Sequence, residues 1–172
     1  MASTVTRVYW PAWMLATATT GIVAGFFLAH ALLFGRFLDW LLMSGRARVL
    51  SETYPVFRLG PGSPGLEMFY AIAGLQVIAG VTFAIVGLVG RRGVHIAILV
   101  GLASLSWPVV HYASGFGALE ARVLRSTTEA PRHVAEMFVA YNTPVHIYHA
   151  AALILALGAL LAVPLTTRAN SD

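Results

Sequence analysis

The chain has 172 residues, of which 58% are hydrophobic and only 10% charged, with a formal net charge of +4. A charge content this far below the quarter or so of a soluble domain excludes an ordinary water-soluble globule, and the apolar residues are gathered into long runs of the kind that cross membranes. There is no Cys and no Lys, which removes disulfides, thiolate metal sites, iron–sulfur clusters, thiol nucleophiles, Schiff-base chemistry and a lysine base. The basic residues are all arginines without a basic run, so they point to lipid headgroups and not to nucleic acid.

The first predicted span covers residues 12–35, with Tyr9 and Trp10 before it and Phe37 and Trp40 after it as interfacial aromatics. It is too long for the apolar part of a secretory signal, and no cleavage site follows it. The helix is expected to continue through Phe37, Leu38, Leu41 and Leu42 until Gly45. Span two covers 64–89, opening at Ser63-Pro64 as cap and first helical residue. Gly90-Arg91-Arg92-Gly93 then forms a tight turn into span three, residues 94–112, in which Pro108 should introduce a kink. Span four covers 144–165 and is expected to start at Thr143-Pro144, again cap then proline.

Two longer connections, 36–63 and 113–142, share one face of the membrane. In the second, Val134, Met137, Phe138 and Tyr141 have helical spacing, and the first carries Val49, Leu50 and Tyr54 among arginines. The expected architecture is therefore all-α, one integral membrane domain over 1–172, a transmembrane four-helix bundle with short interfacial helices capping one face. The termini share the opposite face with the Gly90–Gly93 turn. Arg7, Arg91, Arg92 and Arg168 are dense there, whereas the capped face has more arginines in much longer loops. Density places the termini in the cytoplasm, with a bacterial inner membrane as the expected location.

Polar groups inside membrane segments are costly and mark candidate sites. His30 in span one, Glu67 and Tyr70 at the start of span two, His111 and Tyr112 at the end of span three, and His146 and His149 at the start of span four all fall towards the capped face. His146 and His149, at i and i+3, share a helix face. With Glu67 and His111 they form a ligand set of imidazole and carboxylate character, suited to iron, copper or zinc. Haem held by His30 with His111 or His149 is a second cofactor reading, and a pocket without any cofactor is the third. The bland reading is that such histidines reach interfacial water and that Glu67 answers the helix dipole. His95 and His133 read as solvated surface residues. Gln76, Thr82, Ser104 and Ser106 read as interhelical hydrogen bonds, and Gly21, Gly25, Gly74, Gly80 and Gly87 as close helix contacts.

The first helix running into Arg36-Phe37-Leu38-Asp39, the Tyr54-Pro55-Val56-Phe57 segment, Pro108-Val109-Val110-His111-Tyr112 and Tyr141-Asn142-x-x-Val145-His146 resemble the anthrone-oxygenase-like family of small four-helix membrane proteins. The resemblance covers roughly residues 16–163, and Asn142 and His146 match its pattern before the last helix. His149 stands where that pattern often has Arg. The family name implies oxidation of an aromatic anthrone to a quinone by molecular oxygen. His146 or His111 would then remove a proton from a hydrophobic, enolisable substrate, and Asn142, Tyr112 or Arg36 would stabilise the oxyanion. The competing readings are a non-catalytic anchor or accessory subunit, bound to partner membrane subunits or to further copies of itself, and a haem-bearing electron-transfer subunit.

Overall fold

A computed structural model describes the backbone of residues 2–60 and 66–169, and the side chains of 7–58, 60 and 68–164. Among the described residues all regular structure is helical: α1 Ala2–Ala29, a π-helical turn His30–Phe34, α2 Gly35–Met43, α3 Ala47–Leu59, α4 Leu66–Val89, α5 Val94–Ala113, α6 Phe116–Leu124 and α7 Arg132–Ala169. Four stretches, Arg7–Met43, Met68–Val89, Val94–Ala113 and Arg132–Pro164, are long and apolar enough to cross a membrane. Their outer surfaces carry exposed Ile78, Leu102, Leu155 and Leu161, apolar area that suits lipid and not water. The protein is an all-α integral membrane protein.

Two boundaries differ from the sequence reading. The last helix begins at Arg132 and not at 144, so Thr143-Pro144 lies inside α7 and caps nothing. A proline inside a helix forfeits one backbone hydrogen bond. Here Pro144 is on the exposed side, while Val134, Ala135, Phe138, Asn142, Val145 and His146 keep one buried stripe unbroken past it. Burial of that stripe outweighs the local cost. Helix α1 begins well before residue 12 and carries Pro11 in its interior. Tyr9 is 1% exposed, packed on Phe83 and beside Gly93 of the turn after α4. Ser63-Pro64 lies outside the described residues. Of the expected short helices, the one around Val49, Leu50 and Tyr54 corresponds to α3, and the continuation of the first helix to α2. The amphipathic run from Val134 to Tyr141 is not a separate helix but the start of α7, and α6 precedes it.

The chain divides into two compact units. The first comprises Met1–Phe26, Tyr70–Pro108 and His149–Asp172, and the second Phe27–Phe69 and Val109–Tyr148.

The first unit is a four-helix arrangement of α1, α4, α5 and α7. Its core combines Tyr9, Ala12 and Ala16 with Ala79 and Phe83, Val100 and Ala103, and Ala156, Leu160 and Val163. Small residues let α4 and α5 approach closely at three successive levels. A Cβ on Gly80 would meet Ser104 Oγ, one on Gly101 would lie 2.9 Å from the Ala84 Cβ, and one on Gly87 2.9 Å from that of Ala97. Lipid cannot compete for such contacts, so close packing is what binds helices in a membrane. Gly25 and Gly74 meet nothing within 4 Å, and Gly21 makes only ordinary contact with Leu157. The turn after α4 places Arg91 at φ 52° and Gly93 at φ 55°.

Polar links also cross this unit. Gln76, fully buried, donates to Ser104 Oγ (2.9 Å) and Thr20 Oγ1 (3.3 Å) and accepts from the Trp107 indole (2.9 Å). Its amide thereby has both hydrogens and its oxygen engaged. The Trp13 indole donates to the Leu160 carbonyl at 2.7 Å. That carbonyl is the one whose helical donor would be the N–H of residue 164, which is proline. Helix α5 runs through Pro108 to Ala113.

The second unit holds an apolar core of Leu38, Leu41 and Leu42 from α2, Leu50 from α3, Phe116, Leu119, Val123 and Leu124 from α6, and Val134, Ala135, Phe138 and Val145 from α7. Two groups of buried and partly buried polar side chains lie in the same unit.

Candidate functional site

The first group centres on Asn142, which is fully buried in α7. Its amide nitrogen donates to the Gly35 carbonyl (3.2 Å) and to Asp39 Oδ1 (2.8 Å). Both acceptors lie on the helix that includes the π-helical turn. A π-helical turn inserts one residue into an α-helix and is often found where a side chain must be re-aimed. Here the turn opens with His30. Gly35 follows it, and a Cβ there would lie 2.8 Å from His30 Cδ2 and 3.0 Å from Asn142 Nδ2. Glycine is required at this position for the close approach, since its φ of −61° suits any residue.

With both hydrogens of the amide engaged, Asn142 Oδ1 is left facing His30 Nε2 at 3.2 Å. An amide oxygen only accepts, so His30 carries its hydrogen on Nε2. His146 Nδ1 lies 2.8 Å from the Asn142 backbone carbonyl, which also only accepts, so His146 carries its hydrogen on Nδ1. The two imidazoles stack, with ring centroids 3.8 Å apart and planes 19° from parallel. One residue thus orients two histidines and sets both tautomers. In the neutral His146 ring the proton-accepting nitrogen is Nε2.

The second group joins α3, α5 and α6. Arg58 Nη1 lies 3.1 Å from Glu120 Oε1, and Glu120 Oε2 lies 3.5 Å from His111 Nε2. Tyr54 stacks loosely under the Arg58 guanidinium, and burial pushes its phenol pKa up. Phe116 links the groups: His111 and His146 each meet its ring edge-on, both with centroids 5.5 Å away. Phe27 also abuts His146.

The residues singled out from sequence therefore divide. His30, His146, Asn142 and His111 lie in these two groups of the second unit. Tyr112 touches the His111 ring edge-on but is 74% exposed, and Arg36 is exposed near Asp39. Both hydrogens of the Asn142 amide already have acceptors, so its place here is to orient histidines and not to donate to an oxyanion. His149 belongs to the first unit, where it is fully buried beside Trp107. The side chain of Glu67 lies outside the described residues. Among the described residues, no group of three or more His, Asp or Glu side chains is arranged to hold a metal ion. His95 and His133 are exposed.

Asp39, Arg58, Glu120 and Phe116 were not singled out from sequence as site residues. The available signal was slight. Arg58 and Glu120 fall on the inward faces of α3 and α6, near the buried Leu50 and Leu119 of the same helices, yet their pairing is invisible in a linear chain.

The fold and site together define a polytopic helical membrane protein with a buried imidazole–amide–carboxylate cluster. No family model, curated protein or solved structure matches the chain.

Proposed function

We propose that this protein is a membrane oxidoreductase of the oxygenase type, which takes a hydrophobic, enolisable aromatic substrate from the bilayer. The reading is supported by the resemblance of Tyr141-Asn142-x-x-Val145-His146 and its companion segments to the anthrone-oxygenase-like family. The observation that carries it is the double use of Asn142, which orients His30 and holds His146 with Nδ1 protonated, the tautomer in which Nε2 is the basic nitrogen.

In this reading His146 Nε2 takes a proton from the activated methylene of the substrate. The negative charge moves to the ring oxygen, where Arg36 or Tyr112 donates to it. Molecular oxygen then reacts at the electron-rich carbon. One oxygen atom becomes the new carbonyl, and the other leaves as water with the two methylene hydrogens. His30, stacked on His146, keeps the base in register.

The protein acts at the bilayer, with the termini on the cytoplasmic face, by the density of Arg7, Arg91, Arg92 and Arg168. The test is oxygen consumption and quinone formation by protein in lipid nanodiscs, with anthrone-type phenols as substrates. Wild type should turn over and His146→Ala should not, a loss of about 100-fold or more. A folded wild-type protein without turnover on any member of the panel would leave the accessory-subunit reading. Iron, copper, zinc or haem at one equivalent, lost in His146→Ala/His149→Ala, would reassign the site to a cofactor.

A further inference from the structure

Arg58 and Glu120 form an ion pair whose side chains are only 4% and 19% exposed. Removing both charges from water is costly, and their attraction often only balances that cost, so a buried pair calls for a reason beyond stability. The geometry supplies one. Arg58 is a donor only and takes one carboxylate oxygen; the other oxygen faces His111 Nε2 at 3.5 Å, a long contact of the sort that tightens when a site fills. Helix α6 also seats the imidazole. A Cβ on Gly117 would lie 3.0 Å from His111 Cδ2 and Nε2, so the ring rests directly on the backbone there, with the edge contact to Phe116 beside it. Glu120 follows Gly117 by three residues, one turn along the same helix face.

We propose that Glu120, held by Arg58, is a positioning residue that fixes His111 as the Nε2–H tautomer and so makes Nδ1 its proton-accepting nitrogen. A carboxylate can only accept, so the nitrogen that faces it carries the hydrogen. His111 thereby becomes a second base whose polarity is set from α3 and α6, independently of Asn142. The bearing of this on turnover rests on the function proposed above, but the tautomer itself does not.

The tautomer is read directly by solid-state NMR of 15N-histidine-labelled protein in lipid bilayers, at pH ~8, above the ordinary histidine range. The His111 signals are assigned by their loss in His111→Asn. Wild type should show His111 protonated at Nε2. In Glu120→Gln the outcome should invert. Arg58 still only donates, so the amide oxygen must face Arg58 and the NH2 group must face His111, which then accepts at Nε2 and carries its hydrogen on Nδ1. Glu120→Asp keeps the carboxylate and should keep the wild-type tautomer. Oxygen consumption should fall in Glu120→Gln by roughly 100-fold, in kcat and not in KM. A wild-type His111 protonated at Nδ1 overturns the proposal without any variant. So does a folded Glu120→Gln protein with an unchanged His111 spectrum, the result expected of a merely structural ion pair. Inversion in Glu120→Gln with no turnover in wild type would leave the positioning role standing and remove the oxygenase reading.

Discussion

The imidazoles of His30 and His146 stack ring on ring at 3.8 Å, and the hydrogen of each points at Asn142, one at its side-chain oxygen and one at its backbone oxygen. A single asparagine therefore fixes two rings from two helices. This relation is what singles out the second unit as the candidate site.

Asn142→Ala should lower stability by about 3 kcal/mol, because at least one buried group loses its partner while staying out of water. Asp39, the Gly35 carbonyl and His30 Nε2 all face the gap. The thermal midpoint in mild detergent measures this. An unchanged midpoint would mean that the amide makes no net contribution.

Gly35→Ala adds a strong helix former, which alone would favour the helix by about 1 kcal/mol. The added Cβ would press on His30 Cδ2 and the His30 carbonyl at 2.8 Å. The net effect should be destabilising by about 1–3 kcal/mol, the range for overpacking. Gly25→Ala, with nothing within 4 Å, should be neutral or stabilising in the same assay.

At the α4–α5 contact, Gly80→Ala should be more damaging than either, since its Cβ would collide with Ser104 Oγ and sit 2.8 Å from the Ser104 Cβ. Ser104→Gly should restore room. The Gly80→Ala/Ser104→Gly protein is expected to melt above Gly80→Ala although it has lost the Gln76–Ser104 hydrogen bond. A double variant no better than the single would show that the hydrogen bond outweighs the steric relief.

Trp13→Phe should cost about 1 kcal/mol, the scale of hydrogen bonds between membrane helices. Its partner is the Leu160 carbonyl that Pro164 leaves without a helical donor. In a Pro164→Ala background the backbone N–H returns, and Trp13→Phe should then cost measurably less. Equal costs in both backgrounds would mean that the indole and the proline act independently.

Much of the fold is visible in the sequence because membrane helices obey a local rule. A run of apolar residues about 20 long must satisfy its backbone internally, so length and composition suffice. The boundaries at Val89 and Val94 follow equally locally, from the Gly90-Arg91-Arg92-Gly93 turn. The start of α7 did not. Thr143-Pro144 has the form of a helix start, and only burial of the stripe from Val134 to His146 shows that the helix continues through it. That Tyr9 is covered by Phe83 is likewise beyond a linear reading, because the partner lies on another helix.

The candidate site divides along the same line. His30, His111, His146 and Asn142 stand out in the sequence because polar groups in apolar helices are costly and few. Their grouping is another matter. Stacking of His30 on His146, the Arg58–Glu120–His111 contacts and the membership of His149 in the other unit depend on how helices rotate about their axes and on one inserted residue at the π-helical turn. The sequence by itself determined that four apolar stretches are long enough to cross a membrane and which of their residues are polar. Tertiary structure alone decided which of them meet, because helix rotation is set by packing among many side chains at once and no single segment encodes it.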